Sequence, residues 1–88
     1  MPTKSVVVHA AAGLHARPAA TLAQLVAASG LRVWLARADG TGDTADAASM
    51  LGIMGLGLSR GDTVTLNSDA PGSDALLEEL GAVIESAE

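Results

Sequence analysis

Gly13-Leu14-His15-Ala16-Arg17-Pro18-Ala19-Ala20 is the stretch in which a strand pattern ends and a helical one begins. Proline is tolerated in the first turn of a helix, because the N–H it lacks would have had no partner there. Gly13 allows a sharp turn just before it, so His15 is expected at or just before a helix N-terminus. Free backbone N–H groups and the positive end of the helix dipole favour anions at such a spot, phosphate above all. Arg17 adds a cation whose planar fork suits phosphate oxygens. Local physics leaves two readings of His15. It is either an imidazole placed to take and hold a phosphoryl group, or an ordinary cap or solvated side chain.

Working outward, Thr3 to His9 reads as a strand, because Val6, Val7 and Val8 are β-branched and suit a pleated surface. Ala16 to Ser29 reads as a helix, with Ala19, Leu22, Ala23 and Val26 on one face and Gly30 as its stop. Leu31 to Ala38 alternates with a period of two, which predicts a strand. Asp39-Gly40 is a hairpin turn signal, and Thr41 to Asp46 is its weaker antiparallel edge partner. Ala47 to Leu56 is apolar but broken by Gly52 and Gly55, which predicts only a short helix capped by Ser49. Leu58 to Asp62 reads as a turn and Thr63 to Asn67 as a strand. Leu76, Leu77, Leu80, Val83 and Ile84 then mark an amphipathic helix, with Asp74 in its first turn. The order strand, helix, strand, strand, short helix, strand, helix predicts an α+β fold. Its four-stranded, mainly antiparallel sheet would carry two long helices and one short helix on one face.

Composition narrows the function. The chain has 88 residues, enough for one domain over 1–88. It has no cysteine, which fits a reducing cytoplasm, and no apolar run of the roughly 18 residues a membrane span needs. Lys4 and the short Val6–Val8 run do not make a signal peptide. Net charge is −5, and Lys4, Arg17, Arg32, Arg37 and Arg60 are the only Lys and Arg residues. With Trp34 as the sole aromatic, a nucleic-acid surface is not expected. His9 and His15 lack further ligands at useful spacing, so no metal site is expected. No nucleophile, base and acid set points to a hydrolase either.

Gly13–Ala20 resembles the active-site signature of the HPr family, the histidine-containing phosphocarriers of the bacterial phosphotransferase system. A second stretch, Ala48-Ser49-Met50-Leu51-Gly52-Ile53-Met54-Gly55-Leu56-Gly57-Leu58, resembles that family's regulatory-serine segment. The spacing of the two is similar, with a few extra residues between them. The resemblance implies an HPr-like open-faced β-sandwich and a carrier, not an enzyme, with no cofactor. It implies that His15 is phosphorylated at Nδ1 by enzyme I from phosphoenolpyruvate and donates to enzyme IIA domains of sugar permeases, with Arg17 stabilising the phosphoryl group. Ser49 matches a serine that an HPr kinase/phosphorylase modifies; Ala48, where the family often has a basic residue, departs from that pattern. Leu14, Ala16, Ala20, Met50, Leu51 and Met54 would meet the partners of a cytoplasmic monomer. From the residues alone, the Met50, Leu51 and Met54 group reads equally as core packing.

A carrier needs a group that releases its phosphate again. Phosphoimidazole is a high-energy link, whereas a serine phosphate is too stable to pass on easily. The imidazole must be neutral to attack, and a helix N-terminus disfavours its cation by only about 0.3–1 kcal/mol, enough to tune reactivity. The alternative is a regulatory HPr-like binding module that docks carbon or nitrogen metabolism proteins. Such a module would need the patch and Ser49 but not His15.

Overall fold

The computed structural model describes residues 2–40, 42 and 44–87. Its elements are β1 (Thr3–Val7), α1 (Ala16–Ser29), β2 (Trp34–Arg37), β3 (Ala45–Asp46), α2 (Met50–Gly55), β4 (Thr63–Asn67) and α3 (Asp74–Ser86). The sheet order is β1-β4-β2-β3, with every pairing antiparallel. This is the expected open-faced α+β sandwich of a four-stranded sheet and three helices.

Strand alternation decides which face is covered. Val6 pairs with Val64 and Leu35 with Leu66, and all four are buried with Val33 against Leu22, Val26, Ile53, Leu77, Leu80 and Ile84. Each fully buried Leu or Ile contributes about 2 kcal/mol. The intervening residues form the open face, where Thr3 donates to Asn67 at 3.0 Å and the Ser5 and Thr65 hydroxyls lie 3.4 Å apart. Gly81 lets α3 approach β1, because a Cβ there would meet the Lys4 stem.

The connection between β2 and β3 differs from the expectation. Gly40 N–H donates to Arg37 O at 3.1 Å, so Asp39-Gly40 does turn the chain, one residue after β2 ends. A two-residue hairpin on Asp39-Gly40 would place Trp34 opposite Ala45; instead Trp34 pairs with Asp46 and Leu35 with Ala45. The shift of one residue puts Ala45, 7% exposed, on the core side. β3 is two residues long, against the six expected, and Thr41 and Asp43 of that stretch lie outside the described residues. β2 is also shorter than Leu31–Ala38. β1 ends at Val7, yet Val8 N–H still donates to Asp62 O at 2.9 Å.

Candidate functional site

The site begins with a backbone device. Gly13 has φ +71° and its N–H donates to Ala10 O at 2.9 Å, closing a turn over Ala10–Gly13. Leu14 N–H donates to Leu58 O at 3.2 Å, and a Cβ on Gly13 would collide with that same carbonyl oxygen. The turn therefore rests directly on the loop after α2. Beyond it, His15 is the N-cap of α1 in extended conformation, φ −81° and ψ −172°, and its carbonyl accepts the first helical bond from Ala19 at 3.1 Å.

The His15 side chain makes no cap hydrogen bond to the helix. Nδ1 lies 3.1 Å from Gly13 O. A carbonyl oxygen only accepts, so in this rotamer the neutral ring carries its proton on Nδ1 and its lone pair on Nε2. An attack from Nδ1 requires the ring to swing off Gly13 first.

Arg17 is exposed in the first turn of α1, and its guanidinium makes no hydrogen bond or ion pair among the described residues. His15 and Arg17 line one shallow cleft of about 220 Å³ with Pro18, Thr21, Val83, Ser86 and Ala87. The first turn of α1 holds no acidic residue, so the N–H groups of Ala16 and Arg17 and the positive end of the dipole are uncompensated. An added phosphoryl group would meet a cation and a helix N-terminus together.

Ser49 is the N-cap of α2; Gly52 N–H donates to its Oγ at 3.0 Å. Met50, Leu51 and Met54 are 37%, 78% and 40% exposed, while Ile53 alone of this helix is fully buried. The core reading of Met50, Leu51 and Met54 is thus set aside. Ala16 is exposed and Ala20 half-buried. Leu14 differs from the expected surface role: it is 5% exposed and packs in the core beneath the turn. His9 is exposed beyond the end of β1.

The sequence reading missed the support under the turn. Arg37 donates to Asp62 Oδ2 at 2.9 Å and to the carbonyls of Leu56 and Gly57 at 2.8 and 3.0 Å. Ser59 N–H donates to Asp62 Oδ2 at 2.8 Å. That backbone bond and the Arg37 guanidinium hold the Asp62 carboxyl below the usual carboxylate range. The only local signal was the Arg60-Gly61-Asp62 turn, and nothing in it names Arg37 as partner.

Comparison with known proteins agrees with this geometry. A family model described as the PTS HPr component phosphorylation site matches residues 2–86. Over 74 residues the chain is 45% identical to the phosphocarrier protein HPr of Streptomyces coelicolor, covering 84% of this chain and 77% of that one. It is 38% identical over 74 residues to a multiphosphoryl transfer protein of Xanthomonas campestris, matching 84% of this chain and 8% of that longer one. The crystal structure of a phosphocarrier protein HPr from Bacillus anthracis superposes with a TM-score of 0.83 at 31% identity, covering 96% of each chain. No helix among the described residues is long and apolar enough to cross a membrane.

Proposed function

The chain belongs to the HPr family of phosphocarriers of the phosphotransferase system, and from that premise we propose that His15 is the residue that carries the phosphoryl group. It takes that group from phosphoenolpyruvate by way of enzyme I and passes it to enzyme IIA domains of sugar permeases, in the cytoplasm and as a single domain. The observation that carries this reading is one cleft lined by an uncapped N-cap imidazole and an unpaired arginine at the N-terminus of α1. In each transfer an imidazole lone pair attacks phosphorus, a bond from phosphorus to the donor nitrogen breaks, and that nitrogen keeps the electron pair. Arg17 and the N-terminus of α1 adjoin the imidazole in one cleft, which supports stabilisation of the transferred charge with little rearrangement of those groups. Transfer through Nδ1 requires the ring to release Gly13 O; transfer through Nε2 does not. Incubation with phosphoenolpyruvate and enzyme I, followed by intact mass measurement, tests the reading: one added phosphate, labile in acid and stable in base, is expected.

Arg17 is proposed to stabilise the transferred group with its fork. Arg17→Lys keeps the charge and loses the paired donors, so single-turnover transfer to an enzyme IIA domain should slow by about three- to tenfold with the melting temperature unchanged. An unaltered rate would make Arg17 an ordinary surface charge.

Met50, Leu51 and Met54 are proposed to dock enzyme I, and Ser49 to be a regulatory phosphate site for an HPr kinase/phosphorylase. Aspartate is as good an N-cap as serine, so Ser49→Asp should leave the fold intact. The charge beside an apolar docking surface should raise the KM for phosphorylation by enzyme I about three- to tenfold. Ser49→Ala should lose only the cap, worth about 1 kcal/mol. A KM untouched by Ser49→Asp would remove this face from the docking surface.

A further inference from the structure

We propose that Arg37 is a positioning residue for the His15 imidazole, acting across the sheet through the loop that joins α2 to β4. This rests on the reading of His15 as the phosphoryl carrier, although the ring-orientation part of it can be tested without any transfer.

The Arg37 side chain is only a quarter exposed, and its guanidinium reaches both ends of one loop. At the near end it takes the carbonyls of Leu56 and Gly57, just past the C-terminus of α2. That helix has no basic residue in its own last turn, so Arg37 supplies from β2 the cation its dipole favours there. At the far end Arg37 holds Asp62, whose carboxylate closes the Ser59–Asp62 turn. The far end is also tied to the strand leading into the site, because Val8 and Asp62 bond at 2.9 Å and Gly61 donates to Val8 O at 2.8 Å.

Between these two fixed ends lies Leu58, 6% exposed. Its side chain is in the core and its carbonyl faces the Gly13 turn. That carbonyl accepts from Leu14, and there is no room for a Cβ between it and Gly13. The Gly13 carbonyl in turn accepts from His15 N–H at 3.0 Å and faces Nδ1 at 3.1 Å. The direction in which Gly13 O points therefore sets the imidazole tautomer and rotamer. The direction of Gly13 O depends on Leu58, and Leu58 is held by the ends that Arg37 clamps. Displacements well below 1 Å at such a base matter, because misplacing a reacting group by about 1 Å can cost about 100-fold in rate.

The experiment uses the full chain with three variants, Arg37→Ala, Arg37→Lys and Arg32→Ala. Arg32 is the control, since it approaches the same sheet but lies over Trp34 at 5.8 Å, away from the loop. Ring nitrogen NMR of His15 reads the tautomer. The wild type and Arg32→Ala should show the Nδ1–H form, and Arg37→Ala should lose that preference toward Nε2–H. With enzyme I at saturation, Arg37→Ala should change the phosphorylation rate about tenfold with KM unchanged, a fall where Nε2 attacks and a rise where Nδ1 does, since Nδ1 must leave Gly13 O. Lysine reaches fewer of the three acceptors, so Arg37→Lys should recover part of both signals. If Arg37→Ala does not fold, Asp62→Asn replaces it, with the same change in the ring signal expected. A melting temperature that falls while the His15 ring signal and saturating rate stay at wild-type values would overturn the proposal, making Arg37 a staple of the fold only. Should the wild type take no phosphate on His15, the carrier reading fails, and the ring signal alone still decides whether Arg37 orients the imidazole.

Discussion

His15→Ala should abolish phosphate uptake, leaving the intact mass unchanged after incubation with phosphoenolpyruvate and enzyme I. The reason is the chemistry of the cleft. Its other polar side chains are the Thr21 and Ser86 hydroxyls and the Arg17 guanidinium. A hydroxyl without a base is a weak nucleophile and would form a stable ester, and a guanidinium has no lone pair to offer. The fold should survive, because the imidazole makes no cap bond and its one hydrogen bond among the described residues is to a carbonyl two residues back. A change within about 0.5 kcal/mol is expected, as for most substitutions outside a core or a network. His9→Ala is the matched control, since that ring is exposed outside the cleft, and it should label like the wild type. Phosphate on the His15→Ala protein would move the carrier residue elsewhere. A regulatory module needs no His15 to dock its carbon or nitrogen metabolism targets, so binding of such targets by the unlabelled variant separates the two roles.

The second large effect belongs to Gly13→Ala. At φ +71° an L-residue with a Cβ costs about 1–2 kcal/mol. Here the Cβ would also strike the Leu58 carbonyl oxygen, with the Leu58 carbonyl carbon and Ser59 Cα both at 3.2 Å. All three are backbone atoms and cannot rotate away. Relief requires the turn and the loop to part, which stretches the Leu14–Leu58 bond, worth about 1 kcal/mol net. Overpacking of this kind adds about 1–3 kcal/mol. The total approaches the whole stability of a small domain, on the order of 5 kcal/mol. A fall in melting temperature of more than about 12 °C is expected, at about 4–8 °C per kcal/mol for a chain of this size. Gly72→Ala is the comparison: φ is +78°, but nothing lies within 4 Å of its Cβ, so only the backbone term applies. Equal melting temperatures for the two variants would show that the turn does not rest on Leu58.

The same contrast marks what local sequence carries. Pro18 after His15, and Gly30 with φ +70°, bound α1 at Ala16–Ser29 as expected. Ser49 caps α2, and the alternation of Thr63–Asn67 is β4. The exposure of Met50, Leu51 and Met54 was open from their residue types alone, and the packing of Ile53 beneath them decided it. The β2 to β3 register was not legible, because Asp39-Gly40 specifies a turn but not the loop length or which strand lies beside β2. β2 is flanked by β4 on its other side, and the two neighbours together set its register.

By itself the sequence determined the elements whose signals lie within about one helical turn of the residue concerned. These are caps, stops, strand alternation and a histidine held before a helix with an arginine behind it. Tertiary structure alone decided that Leu14 is core, that Leu58 lies under Gly13, and that Arg37 reaches a loop some 20 to 25 residues further on. The physical reason is that a turn or cap is stabilised by bonds to its own neighbours. The orientation of the His15 ring depends on a carbonyl held by groups that only the closed sheet brings together.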